Sequence, residues 1–245
     1  MAMTWLSLIT VLIAASATVV GGLLLLIKPH WDWKVLRLMI SFGAGYMLGA
    51  AALAMIPESL KITDNVALYF LAGYLTIHFF EHTIVPHFHF GEEIHSEVMV
   101  NPMVGYSSIF GLSIHTLFDG ISIGSGFLIS PKLGLLIFGA VVLHKLPEGF
   151  TVASIMLASG RSKRTAIYAS LILAASTILG AVLISFFSQN VRYALPFSAG
   201  VTFYIAASDL VPIINESKSL SLSLTFFTGI LVYYLADLLL VAILF

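Results

Sequence analysis

Eight long apolar runs constrain what this chain can fold into more than any other feature of its sequence. They lie at residues 5–27, 36–56, 65–84, 103–129, 133–159, 165–187, 194–214 and 220–244. Each run has about the 17 to 25 residues that a helix needs to cross a bilayer. Runs of this length form helices, because a helix satisfies every backbone hydrogen bond within itself in lipid. The sequence therefore predicts an all-α polytopic membrane protein with eight transmembrane helices.

The composition agrees with this fold class and excludes several kinds of partner. Hydrophobic residues make up 59% of the 245 residues, charged residues make up 9%, and the formal net charge is -1. A chain with so little net charge has no electrostatic footprint for nucleic acid. The chain contains no cysteine, so a bound metal would be held by nitrogen, oxygen or thioether ligands. Nothing indicates a soluble domain, and we predict that residues 1–245 form one transmembrane domain whose partner is the lipid bilayer.

The basic residues predict the orientation of the chain in the membrane. Seven of the 11 lie in odd-numbered connections between the helices and three lie in even-numbered ones. The positive-inside rule then places both termini outside the cytoplasm, in a multi-pass protein of the cell's inner membrane. The long connection at residues 85–102 is then cytoplasmic and contains His87, His89 and His95. This loop has no lysine or arginine, and it is either a weak collecting site for emerging metal or a plain solvated acidic loop.

A weak internal repeat predicts how the helices are arranged. Residues 42–57 and 197–212 align without a gap and share six of sixteen positions. The alignment pairs helix 2 with helix 7, which is five crossings later, so the two copies run in opposite directions. This inverted arrangement is common in secondary transporters. It predicts two repeats, helices 1–3 and helices 6–8, around a central pair formed by helix 4 and helix 5.

Two short motifs on the central pair carry the candidate chemistry. The sequences HTLFDG and HKLPEG place His115 four residues before Asp119 and His144 four residues before Glu148. In a helix this spacing returns the two side chains to nearly the same face. Two facing helices would thus offer two imidazoles and two carboxylates, a set that binds zinc, cadmium, iron or manganese. Ionisable groups inside a membrane helix are costly and mark functional sites.

These motifs resemble the helix 4 and helix 5 signatures of the ZIP family of divalent metal transporters, of bacterial type, usually written HNxxDG and HxxPEG. The phrase AGYMLGAAALAMIPES in helix 2 is similar to the second helix of that family. The resemblance implies a metal transporter rather than an enzyme, with no prosthetic group and with the metal as cargo. It implies a central metal site made by His115, Asp119, His144 and Glu148. Met47 lies where the family can supply a thioether, although a methionine in an apolar helix is equally a core residue.

The departures from the family pattern concern the position of a second metal. In members with two metals, residues beside the histidines and a glutamate on helix 6 hold the second ion. This chain has Thr116, Lys145 and Thr177 at the corresponding positions. A protonated lysine has no lone pair and can donate hydrogen bonds to Asp119 or Glu148. The hypothesis is that Lys145 replaces the second metal and leaves a mononuclear site.

The remaining inferences concern the path and the rival functions. Asp209 and Asp237 are isolated intramembrane acids, and Asp209, on the helix paired with helix 2, is the better candidate for the transport path. The substrate is expected to be zinc, with cadmium, iron and manganese as alternatives. The rival functions are an intramembrane zinc-dependent hydrolase and a metal sensor that binds without flux. The sequence leaves open whether the chain forms a homodimer.

Overall fold

A computed structural model of the chain describes residues 4–27, 33–84, 102–216 and 219–244. These residues form eight helical segments in chain order, which we number α1 to α8. They are α1 (Trp5–Ile27), α2 (33–60), α3 (66–84), α4 (Pro102–Ile129), α5 (Pro131–Ala158), α6 (Lys163–Phe186), α7 (191–216) and α8 (Leu220–Leu244). The described residues contain no strand. The prediction of an all-α protein with eight helices is confirmed.

Six helical stretches among the described residues are long and apolar enough to cross a membrane. They are Trp5–Ile27, Lys34–Leu60, Gly105–Ile129, Pro131–Ala158, Lys163–Phe186 and Leu220–Ile243. Large apolar side chains also cover the outside of the protein, as on α8, where Leu231, Leu235 and Leu239 are exposed. Exposed leucines at this spacing form an apolar stripe suited to lipid. The chain is a polytopic membrane protein.

The ends of α5 and α6 follow from local side-chain chemistry. Ser130 and Ser162 precede the two helices, and each side-chain oxygen accepts a hydrogen bond from the backbone N–H three residues later, at 3.2 Å. Serine is favoured at this position because it satisfies an otherwise unpaired donor. Between the two helices Gly160 has a φ of 73°, a conformation that glycine adopts without steric cost. The α5–α6 connection is therefore a tight turn.

Three of the helices contain a π-helical stretch. These stretches are Ala51–Met55 in α2, Phe80–Ile84 at the end of α3 and Ile205–Leu210 in α7. The stretches in α2 and α7 correspond under the sequence repeat, since the offset between residues 42 and 197 also carries residue 51 to residue 206. Single π-helical turns occur frequently at functional sites. The internal repeat is thus matched by the same irregularity in both copies.

The helices pack as two bundles. In the first bundle α1 packs on α5 and α6, and α4 packs on α5 and α6. In the second bundle α2 packs on α8, and α3 packs on α7. The two bundles meet where α2 contacts α5 and where α4 contacts α7. Both central helices of the predicted arrangement therefore lie in the first bundle, at its boundary with the second.

The helix pairs are related by a two-fold exchange of α1 with α6, α2 with α7, α3 with α8 and α4 with α5. In each of the four closest pairs, a glycine of each helix faces a backbone carbonyl of the other. Small residues at such crossings let two helix backbones approach each other. The glycines are Gly21 and Gly149 (α1–α5), Gly120 and Gly180 (α4–α6), Gly45 and Gly229 (α2–α8), and Gly73 and Gly200 (α3–α7). This pairing agrees with the inverted repeat inferred from the sequence.

Candidate metal centre

Four side chains from α4 and α5 meet at the boundary between the bundles. His115, Asp119, His144 and Glu148, which we call the central site, each offer one ligand atom within 4.8 Å of the others. All four side chains are buried, and Glu148 has no exposed surface. The i, i+4 spacing on each helix brings the pair onto one face, and the contact between α4 and α5 brings the two pairs together.

Each carboxylate of the central site faces both imidazoles. Oδ2 of Asp119 lies 3.4 Å from Nε2 of His115 and 3.3 Å from Nε2 of His144. Oε2 of Glu148 lies 3.6 Å from Nε2 of His115 and 3.9 Å from Nε2 of His144. Nitrogen and oxygen therefore alternate around a single point rather than forming two separate pairs.

The two imidazoles are held differently. Nδ1 of His144 donates a hydrogen bond to the carbonyl of Ala140 at 3.0 Å, which fixes the ring and turns Nε2 toward the central site. Nε2 of His115 is buried and has no hydrogen-bond partner among the described residues. The ring centroids lie 5.6 Å apart, and the ring planes form an angle of 70°. Both Nε2 atoms are thus directed at the same carboxylates.

Lys145 is the fifth ionisable group of this region and is completely buried. Its Nζ lies 2.8 Å from Oδ2 of Asp119, and it donates to both oxygens of Glu148, at 3.2 and 2.9 Å. A buried charge is stable only when it is paired and hydrogen-bonded. The sequence predicts a hydrogen bond from Lys145 to Asp119 or to Glu148. In the structure Lys145 contacts both carboxylates. The side chain does not reach out toward a membrane face.

The three other residues predicted for this region are buried as well. Thr116 Oγ1 donates to the carbonyl of Ser113 at 3.1 Å, and Thr177 Oγ1 donates to the carbonyl of Leu173 at 3.3 Å. Both hydroxyl protons are therefore used within their own helices. Met47 on α2 is fully buried and belongs to the apolar core. None of the three side chains carries a charge.

Asp209 is not one of the four clustered ligands; it is buried in the π-helical stretch of α7. Its carboxyl group is hydrogen-bonded to Glu81, in the π-helical stretch of α3, and Glu81 is also hydrogen-bonded to Tyr204. Ser208, which directly precedes Asp209, shares a hydrogen bond of 3.0 Å with Tyr74 on α3. Sequence reasoning did not pair Asp209 with Glu81, because no local spacing connects residues on α3 and α7.

Asp237 is not isolated either. Its Oδ1 forms an ion pair of 2.7 Å with Nζ of Lys132. The pair joins α5 of the first bundle to α8 of the second. The remaining predicted path residues, His87, His89 and His95, lie outside the described residues.

The fold and the central site together define a polytopic helical membrane protein with a buried set of two imidazoles and two carboxylates. The model of the family described as ZIP zinc transporter matches residues 90–237, which is more than half of the chain. The chain belongs to the ZIP zinc transporter family. Its membership places it among transporters of divalent metal ions and not among enzymes.

Two relatives are similar over most of this chain, and a third is similar over about half of it. The zinc transporter ZIP13 of Pongo abelii is 28% identical over 232 residues, which cover 83% of this chain and 67% of the relative. The zinc transporter YKE4 of Saccharomyces cerevisiae is 26% identical over 216 residues, which cover 75% of this chain and 62% of the relative. The zinc transporter zipt-7.2 of Caenorhabditis elegans is 30% identical over 134 residues, covering 49% of this chain and 29% of the relative.

Proposed function

We propose that this protein carries a divalent metal ion, with zinc as its main substrate, into the cytoplasm through the central site. The observation that carries this proposal is the meeting of four buried ligand atoms within 4.8 Å on two adjacent membrane helices. Imidazole nitrogen with carboxylate oxygen suits zinc, and cadmium, iron and manganese accept overlapping ligands. The metal is the cargo, and the proposal includes no prosthetic group.

The spacing of the ligand atoms supports a metal of this size. Nitrogen and oxygen ligands of zinc lie at about 2.1 Å, so neighbouring ligands in a tetrahedral site are about 3.4 Å apart. The nitrogen–oxygen distances at Asp119 are 3.3 and 3.4 Å. With Nδ1 of His144 donating to Ala140, Nε2 of the neutral ring presents a lone pair to Asp119. A cation between these two acceptors stabilises both.

Lys145 supports a site that holds a single metal. Its ammonium contacts both Asp119 and Glu148, the carboxylates that would bridge to a second ion. A fixed positive charge at this distance repels a second divalent ion strongly in a low-dielectric interior. The two threonine hydroxyl groups, of Thr116 and Thr177, are weak ligands compared with carboxylates. We therefore infer a mononuclear site in which Lys145 takes the place of the second metal.

The two bundles supply the moving parts for alternating access. The central site lies entirely on α4 and α5 of the first bundle, next to α2 and α7 of the second. Movement of the first bundle against the second would expose the site to one side of the membrane and then to the other. Such movement leaves the glycine crossings intact, because each of the four lies within one bundle.

The direction of transport rests on the orientation that the basic residues predict. With both termini outside the cytoplasm and the protein in the inner membrane, α3 ends on the cytoplasmic side. Glu81 and Asp209 would then lie on the exit side of the central site. Met47 is on α2, the helix of the second bundle that contacts α5. The loop with His87, His89 and His95 would follow the exit. We assign Asp209 to the path for this reason.

Uptake into liposomes tests the proposal against its rivals. Reconstituted protein should accumulate zinc from a panel of zinc, cadmium, iron(II) and manganese, and His144→Ala should abolish uptake. Thr151→Ala is the matched control, because Thr151 lies on the same helix and its hydroxyl donates to the backbone carbonyl of Pro147. A metal sensor would bind zinc without flux, and an intramembrane hydrolase would cleave a substrate without moving metal. Either result would overturn the transport proposal.

A further inference from the structure

A cavity of about 560 Å³ lies at the boundary between the two bundles. Its walls are the apolar side chains of α4, α6 and α7: Phe118, Ile121, Leu183, Ile184, Ala194 and Phe197. The volume falls within the range of about 300 to 1,000 Å³ that is typical of small-molecule sites. The cavity reaches the ring of Phe118, which is next to Asp119, and this ring packs on Phe197 with centroids 5.0 Å apart.

One end of the cavity carries polar and aromatic groups. Asn190, Tyr193 and Tyr69 line this end, at the turn between α6 and α7 and at the start of α3. The two tyrosine rings pack against each other with centroids 5.1 Å apart. Tyrosine is enriched at the depth of the lipid headgroups because its ring is apolar and its hydroxyl is polar. The cavity therefore extends from a membrane interface into the apolar layer.

Arg192 stands at this same end. Its guanidinium lies 4.6 Å from the centroid of the Tyr193 ring, which itself lines the cavity. The connections on this side of the membrane contain two further basic residues, and both are in ion pairs: Lys61 with Glu58 and Lys132 with Asp237. Among the described residues Arg192 has no carboxylate partner. The mouth of the cavity thus presents an exposed cation that forms no ion pair with a described residue.

The side of the cavity toward α6 faces the membrane. Leu183 and Phe187 line the cavity, and 36% and 54% of their surfaces are exposed. Within the apolar layer of a membrane, such an opening gives onto acyl chains rather than water. An apolar cavity with an interfacial tyrosine pair and a cation at its mouth has the polarity pattern of a phospholipid. Basic pockets between membrane helices are known to bind anionic headgroups.

We propose that this cavity binds one anionic phospholipid, with an acyl chain between the bundles and its phosphate paired with Arg192. The lipid would lie along the surface on which the bundles move in the proposed function, and its binding does not require that function. Binding can therefore be measured without metal. Failure of lipid binding and failure of metal transport are separate results.

Native mass spectrometry of the full chain tests the proposal. Protein reconstituted in equimolar phosphatidylglycerol and phosphatidylcholine, then released into detergent, should retain one phosphatidylglycerol per chain. Arg192→Gln should lower phosphatidylglycerol retention about fivefold, because one cation near the interface contributes this much to binding an anionic lipid. It should lower phosphatidylcholine retention much less, because the choline cation cancels the phosphate charge of that headgroup. The control is Arg164→Gln, an exposed arginine at the start of α6 and outside the cavity.

A second variant tests the apolar part of the site. Ala194→Phe places a ring in the cavity and should reduce retention of both lipids, whereas Leu179→Phe, an exposed α6 position outside the cavity, should not. Retention of a lipid by Ala194→Phe at the level of the unchanged protein would place the lipid elsewhere and overturn the proposal.

Equal retention of the two lipids by the unchanged protein, or loss on Arg164→Gln as large as on Arg192→Gln, would overturn the role of Arg192. A dimer without bound lipid would assign the cavity to a second copy of the chain and would also overturn the proposal.

Discussion

The ammonium of Lys145 on α5 lies 2.8 Å from the carboxylate of Asp119 on α4. The contact crosses between the two helices that form the central site, and Lys145 is completely buried. The ammonium also contacts Glu148 on its own helix. The carboxylates that a metal would use are therefore also the hydrogen-bond acceptors of a fixed cation, and both functions must be satisfied together.

Replacing Lys145 with an acid should change the number of metals. In Lys145→Asp the positive charge is lost and a further carboxylate is added next to Asp119 and Glu148. Oxygen-rich sites of this kind hold additional divalent ions. We expect one zinc per unchanged chain and two per Lys145→Asp chain, measured by elemental analysis and located by anomalous scattering.

The control for this experiment is Lys163→Asp, which makes the same change of charge at an exposed residue at the start of α6. It should leave one zinc per chain. Two bridged ions in the unchanged protein would show that Lys145 does not exclude the second metal.

Removing the charge of Lys145 without adding an acid should destabilise the metal-free protein. Lys145→Met keeps an unbranched side chain that is one atom shorter, and it leaves Asp119 and Glu148 without their cation. Breaking a buried ion pair in this way costs about 3 to 5 kcal/mol. We expect a lower unfolding temperature in the presence of a chelator, and a larger upward shift on adding zinc than in the unchanged protein, because ligand binding stabilises the folded state.

Lys61→Met is the matched control for this substitution. Lys61 forms a 2.6 Å ion pair with Glu58, in which the two side chains are 66% and 31% exposed. An exposed pair contributes about 0 to 1 kcal/mol. An equal effect of both substitutions would mean that the contacts of Lys145 do not stabilise the metal-free state.

The parts of this structure that sequence analysis could predict are those with a local period. The eight helices follow from the lengths of the apolar runs, and the meeting of His115 with Asp119 and of His144 with Glu148 follows from the four-residue spacing. For Lys145 the sequence predicts a contact with one carboxylate, because the residue follows His144 and lies three residues before Glu148, but it does not predict contact with both. Which carboxylate it reaches depends on the approach of α4 to α5.

The parts that could not be predicted depend on helices that are distant in the sequence. The pairing of Asp209 with Glu81 and of Asp237 with Lys132 each requires a particular rotation of two helices about their axes. No periodicity in one helix specifies the rotation of another. The end of α2 is also not predicted by local rules. Pro57 suggests a helix end, but it directly follows the π-helical stretch Ala51–Met55, and the helix continues to Leu60. The cavity at Ala194 has no sequence signature for the same reason.

The glycine crossings predict a sharp contrast between two positions on α2. A Cβ at Gly45 would clash with the backbone carbonyl of Phe226 on α8, whereas a Cβ at Gly43 would lie 3.7 Å from the nearest atoms of Leu143. Overpacking of this kind costs about 1 to 3 kcal/mol. Gly45→Ala should therefore lower the unfolding temperature clearly, and Gly43→Ala should leave it nearly unchanged. Equal unfolding temperatures of the two variants would argue against the close α2–α8 approach.

The ion pair between Lys132 and Asp237 should limit the rate of transport rather than the stability of the protein. It joins α5 of the first bundle to α8 of the second at 2.7 Å, and the side chains are 24% and 28% exposed. A partly exposed pair contributes at most about 1 kcal/mol, so Asp237→Asn should change the unfolding temperature little. If the bundles move against each other, this pair must break in each cycle.

Asp237→Asn should therefore raise the initial rate of zinc uptake by up to about fivefold, the factor that corresponds to the largest contribution of such a pair. The exchanged double variant, Lys132→Asp with Asp237→Lys, restores a pair of the same geometry and is expected to return the rate toward that of the unchanged protein. Uptake should be measured at saturating zinc, so that a change in affinity at the central site does not contribute. An unchanged rate in Asp237→Asn would indicate that the α5–α8 contact persists through the cycle, and that the boundary between the moving parts lies elsewhere.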